Sequence, residues 1–296
     1  MIWNPVEQKM VAQNRTELVR ERWLDSSGEA IHISSSGSGK PLFLLHGLLG
    51  GSFCWRFNVD EFAKIRRTYA IEMAGMGVCD ARRGTDCSMR AQADRVCGFI
   101  QSAGLGEIDL IGSSWGGGVA MLVAARSSRI RSLILVAPVN PWSDFGRSRV
   151  HFFAGRFGSM LARLGLARLS LPLSRKLHDI GVQRMYGDGS RIRPGTLEGY
   201  SALLRHRGRA PSLINILRNW ELDLDAVRDA IPRIKAPALL VWGTHDGAVD
   251  PRSAEPLAAA LQRSQTITLP GVGHLPFEES PEVFNRLVLD FIERPE

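Results

Sequence analysis

The apolar residues in the first 140 positions form two kinds of pattern that alternate along the chain. Short apolar runs typical of strands are separated by stretches in which apolar residues recur every three or four positions, as on one face of a helix. The first two strands, LVRERWL and EAIHIS, meet at the turn over residues 25–28, which predicts an antiparallel pair. The later strand candidates are PLFLLHG, RTYAIEM, EIDLIGSS and RSLILVAP, and the helix candidates between them are SMRAQADRVCGFIQSAG and WGGGVAMLVAARS. This alternation predicts an α/β fold, a mostly parallel, doubly wound sheet with helices on both faces.

The pattern changes after Pro138. Residues 139–232 contain no strong strand candidate, and helical stretches such as HFFAGRFGSMLARLGLARL and PSLINILRNWELDLDAV take their place. Strands resume with PALLVWG and QTITLP, with a helix predicted near residues 251–261 and another over 281–292. We therefore expect a core formed by residues 1–138 and 233–296, with residues 139–232 inserted as a helical cap, or lid.

Composition limits the class of protein. The chain has 296 residues, of which 44% are hydrophobic and 23% charged, as in soluble globular proteins. No apolar run reaches the roughly 18 residues of a membrane-spanning helix, and the N-terminus carries charges where a signal peptide needs an apolar stretch. The four cysteines form no CxxC pair, which argues against a zinc knuckle or a thiol redox motif and favours free thiols. Together these features predict a cytoplasmic protein.

The net charge is concentrated in the predicted cap. The chain carries a formal charge of +7. Residues 141–232 hold 15 basic and eight acidic residues, whereas the remainder holds 22 of each. Such an excess attracts anionic partners, but no nucleic-acid-binding motif accompanies it. The expected partner is a small-molecule substrate. A solvated arginine-rich surface is the favoured interpretation of the charge, and an anionic or lipid-like substrate is the alternative.

The strongest chemical signal is the motif G-x-S-x-G at residues 112–116. It stands where a predicted strand ends and an apolar helix begins, and such a turn exposes the hydroxyl of its central residue, Ser114. The helix N-terminus beside this hydroxyl favours developing negative charge. The sequence therefore predicts Ser114 as a nucleophile and the backbone N–H of Trp115 as an oxyanion donor.

Partners for this serine follow in the order that a hydrolytic triad needs. Asp246 comes just after the strand PALLVWG, and His274 follows the strand QTITLP. A serine needs an imidazole to accept its proton, and the imidazole needs a carboxylate to fix its tautomer. Asp250 is an alternative carboxylate close by, whereas His245 is expected to be a loop histidine.

A second oxyanion donor is expected from the loop HGLLGG after the strand PLFLL. We expect the backbone N–H of Leu48 to face the nucleophile. His46 and Gly47 are candidates for the pocket, although His46 is more often a residue that pins this loop through hydrogen bonds. Trp142 and Phe145 begin the predicted cap and are candidates for the pocket wall, with hinge packing as the alternative.

These motifs resemble those of the α/β-hydrolase superfamily, and the resemblance covers nearly the whole chain. They are the HG loop, E-x-x-G-x-G from Glu72, the serine motif, W-G-x-x-D ending at Asp246, and G-x-G-H-x-P around His274. The chain departs at Glu72, where the superfamily usually has Asp, and at Cys79, where Ser is frequent. The resemblance implies a capped serine hydrolase, esterase-like, that needs no cofactor or metal.

Differences from individual families of the superfamily distinguish the candidate reactions. Haloalkane dehalogenases and epoxide hydrolases are similar overall but have Asp at the position of Ser114. Proline iminopeptidases share the S-W-G sequence but have HGGPG in the HG loop, and carbon–carbon hydrolases of ring-cleavage pathways usually have a Gly-Pro-rich loop there. Carboxylic ester hydrolysis is the default expectation, with carbon–carbon hydrolysis or a peptidase activity as alternatives. A ligand-binding protein without catalysis is a further alternative.

The stretch HFFAGRFGSMLARLGLARL mixes aromatic and leucine residues with arginines at helical spacing. This pattern suggests an amphipathic surface for lipid-like substrates or membrane contact. A cap helix that packs on the core is nevertheless the favoured interpretation.

Overall fold

The computed structural model describes residues 19–82, 84–143, 171–203 and 209–294. Eight strands alternate with helices along these residues. The strands are β1 (Val19–Leu24), β2 (Ala30–Ser36), β3 (Pro41–Leu45), β4 (Arg67–Glu72), β5 (Ile108–Ser113), β6 (Ile130–Val136), β7 (Ala238–Gly243) and β8 (Ser264–Leu269). The α-helices are α1 (Val59–Phe62), α2 (Met89–Ser102), α3 (Trp115–Arg126), α4 (Leu171–Gln183), α5 (Thr196–Leu203), α6 (Arg209–Ala230), α7 (Ala254–Ala260), α8 (Pro276–Glu279) and α9 (Pro281–Ile292).

All eight strands join one sheet in the order β1-β2-β4-β3-β5-β6-β7-β8. β1 and β2 form the expected antiparallel pair, and β2 also lies antiparallel to β4. From β4 to β8 every neighbouring pair is parallel. The prediction of a mostly parallel α/β sheet is confirmed. Because β3, β5, β6, β7 and β8 run in the same direction, the loops that follow them leave the same edge of the sheet.

Alternating side chains of the central strands fill two cores, one on each face of the sheet. In β3, Phe43 and Leu45 point into the core that holds α2, α3 and α6, whereas Leu42 and Leu44 point into the core that holds α9. Helix α3 is buried along most of its length, from Trp115 to Ala124. This fully buried helix lies behind the turn at Ser114 and leaves that turn little freedom to move.

Between β6 and β7 the described residues contain the helices α4, α5 and α6 and no strand, with turns between α4 and α5. Trp220, Leu224 and Val227 of α6 belong to the same apolar core as α2 and α3. Asp223 of α6 accepts a hydrogen bond from the backbone N–H of Met89 and forms an ion pair with Arg90 at the start of α2. The segment is thus attached to the core by packing and by hydrogen bonds. The stretch HFFAGRFGSMLARLGLARL and Phe145 lie outside the described residues.

Two boundaries differ from the sequence prediction. The helix expected near residues 251–261 is divided into a 3-10 turn, Pro251–Ser253, and α7. The helix expected to end at Gly104 stops two residues earlier, because Gly104 adopts a left-handed conformation with φ of 60°. None of the helices in the described part of the chain combines the length and apolar character needed to cross a membrane.

Candidate active site

Ser114 occupies the sharp turn between β5 and α3. Its backbone has φ of 53° and ψ of −122°, an unfavourable conformation for a residue with a side chain. Two hydrogen bonds hold this turn: the N–H of Ser114 donates to Val136 O at 2.9 Å, and the N–H of Val139 donates to Ser114 O at 2.9 Å. The end of β6 therefore supports the strained turn. Ser114 is partly exposed, and the N-terminus of α3 begins directly behind it.

His274 and Asp246 form a buried pair on the loops that follow β8 and β7. The distance between His274 Nδ1 and Asp246 Oδ2 is 2.8 Å. The other carboxylate oxygen, Oδ1, accepts hydrogen bonds from the N–H groups of Ala248 and Val249 at 2.8 and 2.9 Å. The carboxylate is thus oriented by its own loop. With Nδ1–H donating to Asp246, Nε2 of His274 keeps a lone pair that can accept a proton.

Asp250, the alternative carboxylate, is engaged elsewhere. Both of its oxygens accept from the guanidinium of Arg252, and Oδ1 also accepts from the backbone N–H of Arg252. These hydrogen bonds hold the pKa of Asp250 below its usual value. His245 is exposed and lies on the outside of the loop. The geometry therefore pairs His274 with Asp246.

The HG loop after β3 lies directly on the serine turn. A Cβ added at Gly116 would lie 2.3 Å from His46 O, and a Cβ added at Gly47 would lie 3.1 Å from Ser114 Cβ. A side chain at Gly116 would therefore collide with the HG loop, and one at Gly47 would press against Ser114. Leu48, the expected oxyanion donor, follows in the same loop and is half-buried. The loop then turns through Leu49, which has φ of 59°.

His46 is fully buried, and both of its ring nitrogens are engaged. Nδ1 lies 2.9 Å from Gly47 O, and Nε2 lies 3.3 Å from the backbone nitrogen of Met73. Since Gly47 O can only accept and the Met73 N–H can only donate, the ring is neutral with its proton on Nδ1. Burial lowers the pKa of His46, consistent with this neutral form. These contacts support the loop-pinning role over contact with a substrate.

The Glu72 carboxylate, at the position where Asp is usual in the superfamily, organises the loops behind the site. Oε1 accepts from the N–H and the hydroxyl of Ser52 at 2.7 and 2.6 Å, and Oε2 accepts from the N–H of Val78 at 3.2 Å. Glu72 is 3% exposed. Its contacts are therefore structural. Cys79 is also buried, and its thiol contacts the backbone carbonyl of Ala30.

Sequence reasoning missed Arg209, which ties α6 to the HG loop. Its guanidinium donates to Leu49 O at 3.2 Å and to Gly77 O at 2.9 Å. Burial lowers the pKa of Arg209 to about 10. Arg209 is separated from Leu49 by 160 residues, and no local pattern in the sequence signals such a contact. A second missed group, Glu279, lies three residues after the end of the motif G-x-G-H-x-P, so its closeness to His274 in sequence could have drawn attention to it.

Other candidate residues are placed less centrally. Trp142 lies on the turn after β6 and is 39% exposed, and its backbone N–H donates to Asn140 Oδ1. Cys54, Cys79, Cys87 and Cys97 are all free thiols. Within the described ranges, no group of three or more His, Cys, Asp or Glu side chains is arranged to hold a metal ion.

A serine on a strained strand-to-helix turn, with a histidine–aspartate pair on loops at the same edge of a mostly parallel sheet, defines the class of α/β-hydrolase-fold proteins. Comparison with known sequences identifies the family. The profile of the alpha/beta hydrolase family matches residues 42–287. The chain belongs to this family and is a hydrolase.

Individual relatives differ in the reactions that their names give. The chain is 27% identical to the 2-hydroxymuconate semialdehyde hydrolase of Pseudomonas sp. (strain CF600), with 95% of each chain covered. It is also 27% identical to haloalkane dehalogenase 2 of Mycobacterium tuberculosis (strain ATCC 25618 / H37Rv), covering 92% of this chain and 94% of the other. Among solved structures, an α/β hydrolase fold protein from Burkholderia ambifaria superposes with a TM-score of 0.80 at 20% identity, covering 94% and 99% of the two chains.

Proposed function

We propose that the protein is a serine hydrolase that cleaves carboxylic esters of small to medium hydrophobic substrates through an acyl-enzyme. Ser114 is the nucleophile, His274 the general base and acid, and Asp246 the carboxylate that orients His274. The observation that carries the proposal is the backbone of Ser114, whose φ of 53° and ψ of −122° impose strain. Such strain persists where the surrounding structure enforces it, and it is typical of functional residues.

The first half of the reaction follows from the hydrogen bonds of His274. Its Nδ1–H donates to Asp246 Oδ2 at 2.8 Å, which leaves Nε2 as the proton acceptor. As Ser114 Oγ attacks the ester carbonyl, Nε2 takes the hydroxyl proton, and the Asp246 carboxylate stabilises the imidazolium that forms. The imidazolium then protonates the leaving alcohol as the carbon–oxygen bond breaks, and the acyl group remains on Ser114.

The negative charge on the substrate oxygen is stabilised by backbone donors. In this proposal these are the N–H of Trp115 at the start of α3 and the N–H of Leu48 in the HG loop. The close contact between Gly47 and Ser114 supports the second donor, since it holds the HG loop against the nucleophile. Removal of one such donor typically lowers kcat by about 10²- to 10³-fold.

The second half of the reaction repeats the first with water as the nucleophile. His274 accepts a proton from the water molecule as the water oxygen attacks the acyl carbon, and then returns a proton to Ser114 Oγ. The products are the carboxylic acid and the free enzyme. No step requires a cofactor.

Ester cleavage is preferred to two related reactions for a chemical reason. Dehalogenases and epoxide hydrolases of this superfamily use a carboxylate nucleophile at the strand-to-helix turn, and this chain has Ser114 there. Hydrolysis of a carbon–carbon bond in a ring-cleavage product is a second candidate. It is supported by the similarity to 2-hydroxymuconate semialdehyde hydrolase along 95% of the chain.

The nucleophile is tested with Ser114→Ala and a fluorophosphonate probe. We expect the wild type to be labelled at Ser114 and to hydrolyse p-nitrophenyl esters, and the variant to lose kcat by a factor on the order of 10⁶. Folding should be retained, because removing one hydroxyl from a partly exposed turn leaves little void. A variant with more than about a tenth of the wild-type activity would assign the nucleophile elsewhere.

The substrate class is tested with a panel of p-nitrophenyl esters of increasing chain length and a vinylogous diketone. We expect turnover of the esters, with chain length reporting the size of the pocket. Preferential cleavage of the diketone would replace ester hydrolysis by the carbon–carbon reaction. A wild-type serine that reacts with neither the substrates nor the probe would favour a ligand-binding protein.

A further inference from the structure

Glu279, the last residue of α8, is a buried carboxylate outside the proposed triad. Its side chain is inaccessible to solvent and receives four hydrogen bonds. Oε2 accepts from the N–H of Gly273 at 2.8 Å and from the N–H of Gly187 at 3.0 Å. Oε1 accepts from the N–H of Asp188 at 3.1 Å and from Arg191 Nη1 at 3.2 Å. A carboxylate has about four acceptor sites, so each site of Glu279 is used.

These donors belong to two different parts of the chain. Gly273 immediately precedes His274, whereas the other three donors lie in the segment between α4 and α5, within the predicted cap. One side chain therefore joins the histidine loop to residues 185–191, a segment that we call the histidine brace. Arg191 strengthens the junction, since its Nη1 also donates to Gly271 O at 3.3 Å.

The histidine brace also contacts the backbone of His274 directly. The N–H of His274 donates to Met185 O at 2.6 Å. A Cβ added at Gly273 would lie 2.3 Å from Met185 O and 2.4 Å from the nitrogen of Gly187. The two chains are therefore in backbone-to-backbone contact, and a shift of the brace requires a shift of the histidine loop.

We infer that Glu279 is a positioning residue that fixes the backbone of His274 to the histidine brace and so sets the place of the imidazole relative to Ser114. This inference deepens, and rests on, the proposed function. Asp246 holds only the ring of His274, through Nδ1. The main chain that carries the ring is held by Met185 O and, one residue earlier, by Glu279. In enzymes a displacement of about 1 Å at a reacting group can lower the rate about 10²-fold.

The neighbouring carboxylate, Glu278, provides a control of similar burial. It accepts from Arg56 Nη2 and from Tyr186 OH, each at 2.7 Å, and also from Tyr200 OH. Tyr186 belongs to the histidine brace, so Glu278 also reaches the brace. It does so through side chains alone, and it accepts from no backbone N–H of the brace or of the histidine loop. Loss of Glu278 should weaken the fold without releasing the histidine loop.

A second matched pair perturbs the junction more gently. Arg191 and Arg193 are half-exposed arginines two residues apart, and each forms an ion pair with a glutamate in or next to the last helix of the chain. Arg191 reaches Glu279, whereas Arg193 Nη2 reaches Glu282 Oε1 at 2.9 Å. Only the first of these ion pairs involves Glu279, which joins the histidine loop to the histidine brace.

The experiment compares Glu279→Gln with Glu278→Gln, and Arg191→Met with Arg193→Met. The readouts are kcat and KM for a neutral p-nitrophenyl ester, the pH profile of kcat/KM, the melting temperature, and the downfield proton resonance of the His274 Nδ1–H. We expect Glu279→Gln to lower kcat by about 10- to 100-fold with little change in KM. Arg191→Met should have a smaller effect in the same direction. Both should shift the acid limb of the pH profile and the proton resonance.

The control variants should retain the wild-type pH profile and resonance even where they melt at lower temperature. If each variant matches its control in kcat, pH profile and resonance, Glu279 is a structural residue and the inference is wrong. If Glu279→Gln does not fold, the comparison of Arg191→Met with Arg193→Met decides the question.

The His274 proton resonance is measured without substrate, so it separates the positioning role from the proposed function. If the wild type has no hydrolase activity but Arg191→Met, and not Arg193→Met, shifts the resonance, the proposed function is wrong and the positioning role of Glu279 is supported.

Discussion

At the scale of single residues, the chemistry of the site depends on which groups are already engaged. Asp246 and Asp250 lie four residues apart in the same loop region, and the sequence favoured Asp246 while leaving Asp250 as an alternative. The structure separates them, since Asp250 is held by Arg252 and Asp246 lies 2.8 Å from His274 Nδ1. A choice that depends on side-chain direction in a loop requires coordinates.

Exchange of each carboxylate for an amide tests this assignment. Asp246→Asn should lower kcat by about 10⁴-fold, because the amide favours the wrong tautomer of His274 and cannot stabilise its cation. Asp250→Asn should stay within a few-fold of the wild type, since it loses only contacts with the exposed Arg252. Ester turnover under saturating substrate measures both. Equal losses, or a larger loss at Asp250, would mean that the acid is misassigned.

His46 gives a second prediction at this scale, on stability against pH. Burial holds its pKa below the usual value of 6.5, so the unfolded chain takes up a proton that the folded chain does not. The resulting stability is complete above about pH 6.5 and is lost as the pH falls towards the lower pKa of the folded state. Up to about 1.4 kcal/mol of unfolding free energy per pH unit should depend on this group.

Urea unfolding between pH 7.5 and 5.5 measures this contribution in the wild type, in His46→Gln and in His245→Gln. The first variant should show a flatter dependence on pH than the wild type, and the second, at an exposed histidine, should keep the wild-type slope. His178, whose pKa is also lowered by burial, contributes equally to all three. Parallel slopes for the wild type and His46→Gln would show that His46 is protonated equally in the folded and unfolded states.

At the scale of elements, local patterns predicted much of the fold. The continuous apolar runs in PLFLLHG and PALLVWG identified β3 and β7, and the turn residues at 25–28 identified the β1–β2 hairpin. The strand order was not available from these patterns, because β4 lies between β2 and β3 in the sheet although it follows both in sequence. Contacts such as those of Arg209 with the HG loop likewise join residues far apart in the chain. Motifs therefore singled out the loops of Ser114, Asp246 and His274 as candidates, and the structure shows which contacts hold those loops.

The loop after β4 illustrates how an element depends on a buried charge. Gly77 has φ of 58°, and a Cβ there would lie 1.4 Å from Glu72 Oε2. Gly104, at the end of α2, has nearly the same φ, 60°, but a Cβ there would have no atom within 4 Å. The two glycines share a backbone conformation and differ in their surroundings. Substitution of Gly104 therefore measures the conformational cost alone, and substitution of Gly77 adds the cost of displacing the Glu72 carboxylate.

Gly104→Ala should lower the free energy of unfolding by about 1–2 kcal/mol, the cost of a left-handed conformation for a residue with a side chain. Gly77→Ala should cost about 2–3 kcal/mol more, because it displaces Glu72 from Ser52 and Val78 and leaves buried polar groups unpaired. Chemical denaturation of both variants gives the comparison. Equal losses would show that Glu72 can move aside without cost.

At the scale of the whole molecule, the helical region between β6 and β7 is attached both to the HG loop and to the loop that carries His274. Arg209 binds the HG loop, and the histidine brace binds the loop of His274. Several of its arginines therefore have contacts with the core, including Arg191 and Arg193. Ion pairs with the core do not change the formal net charge of the chain, which is +7 and arises entirely from residues 141–232.

This charge should steer anionic substrates at low salt. The Debye length falls from about 30 Å at 0.01 M to about 10 Å at 0.1 M, so the long-range attraction of an excess of positive charge weakens over that range. We expect kcat/KM for a carboxylate-bearing ester to fall severalfold between these salt concentrations, and kcat/KM for a neutral ester of the same size to change little. A variant with both Lys176→Glu and Arg184→Glu, two exposed positions in this region, should show a weaker salt dependence for the anionic ester. Rates are corrected for the effect of ionic strength on uncatalysed hydrolysis. If the two esters respond to salt in parallel, the arginine excess is a solvated surface without influence on substrate capture.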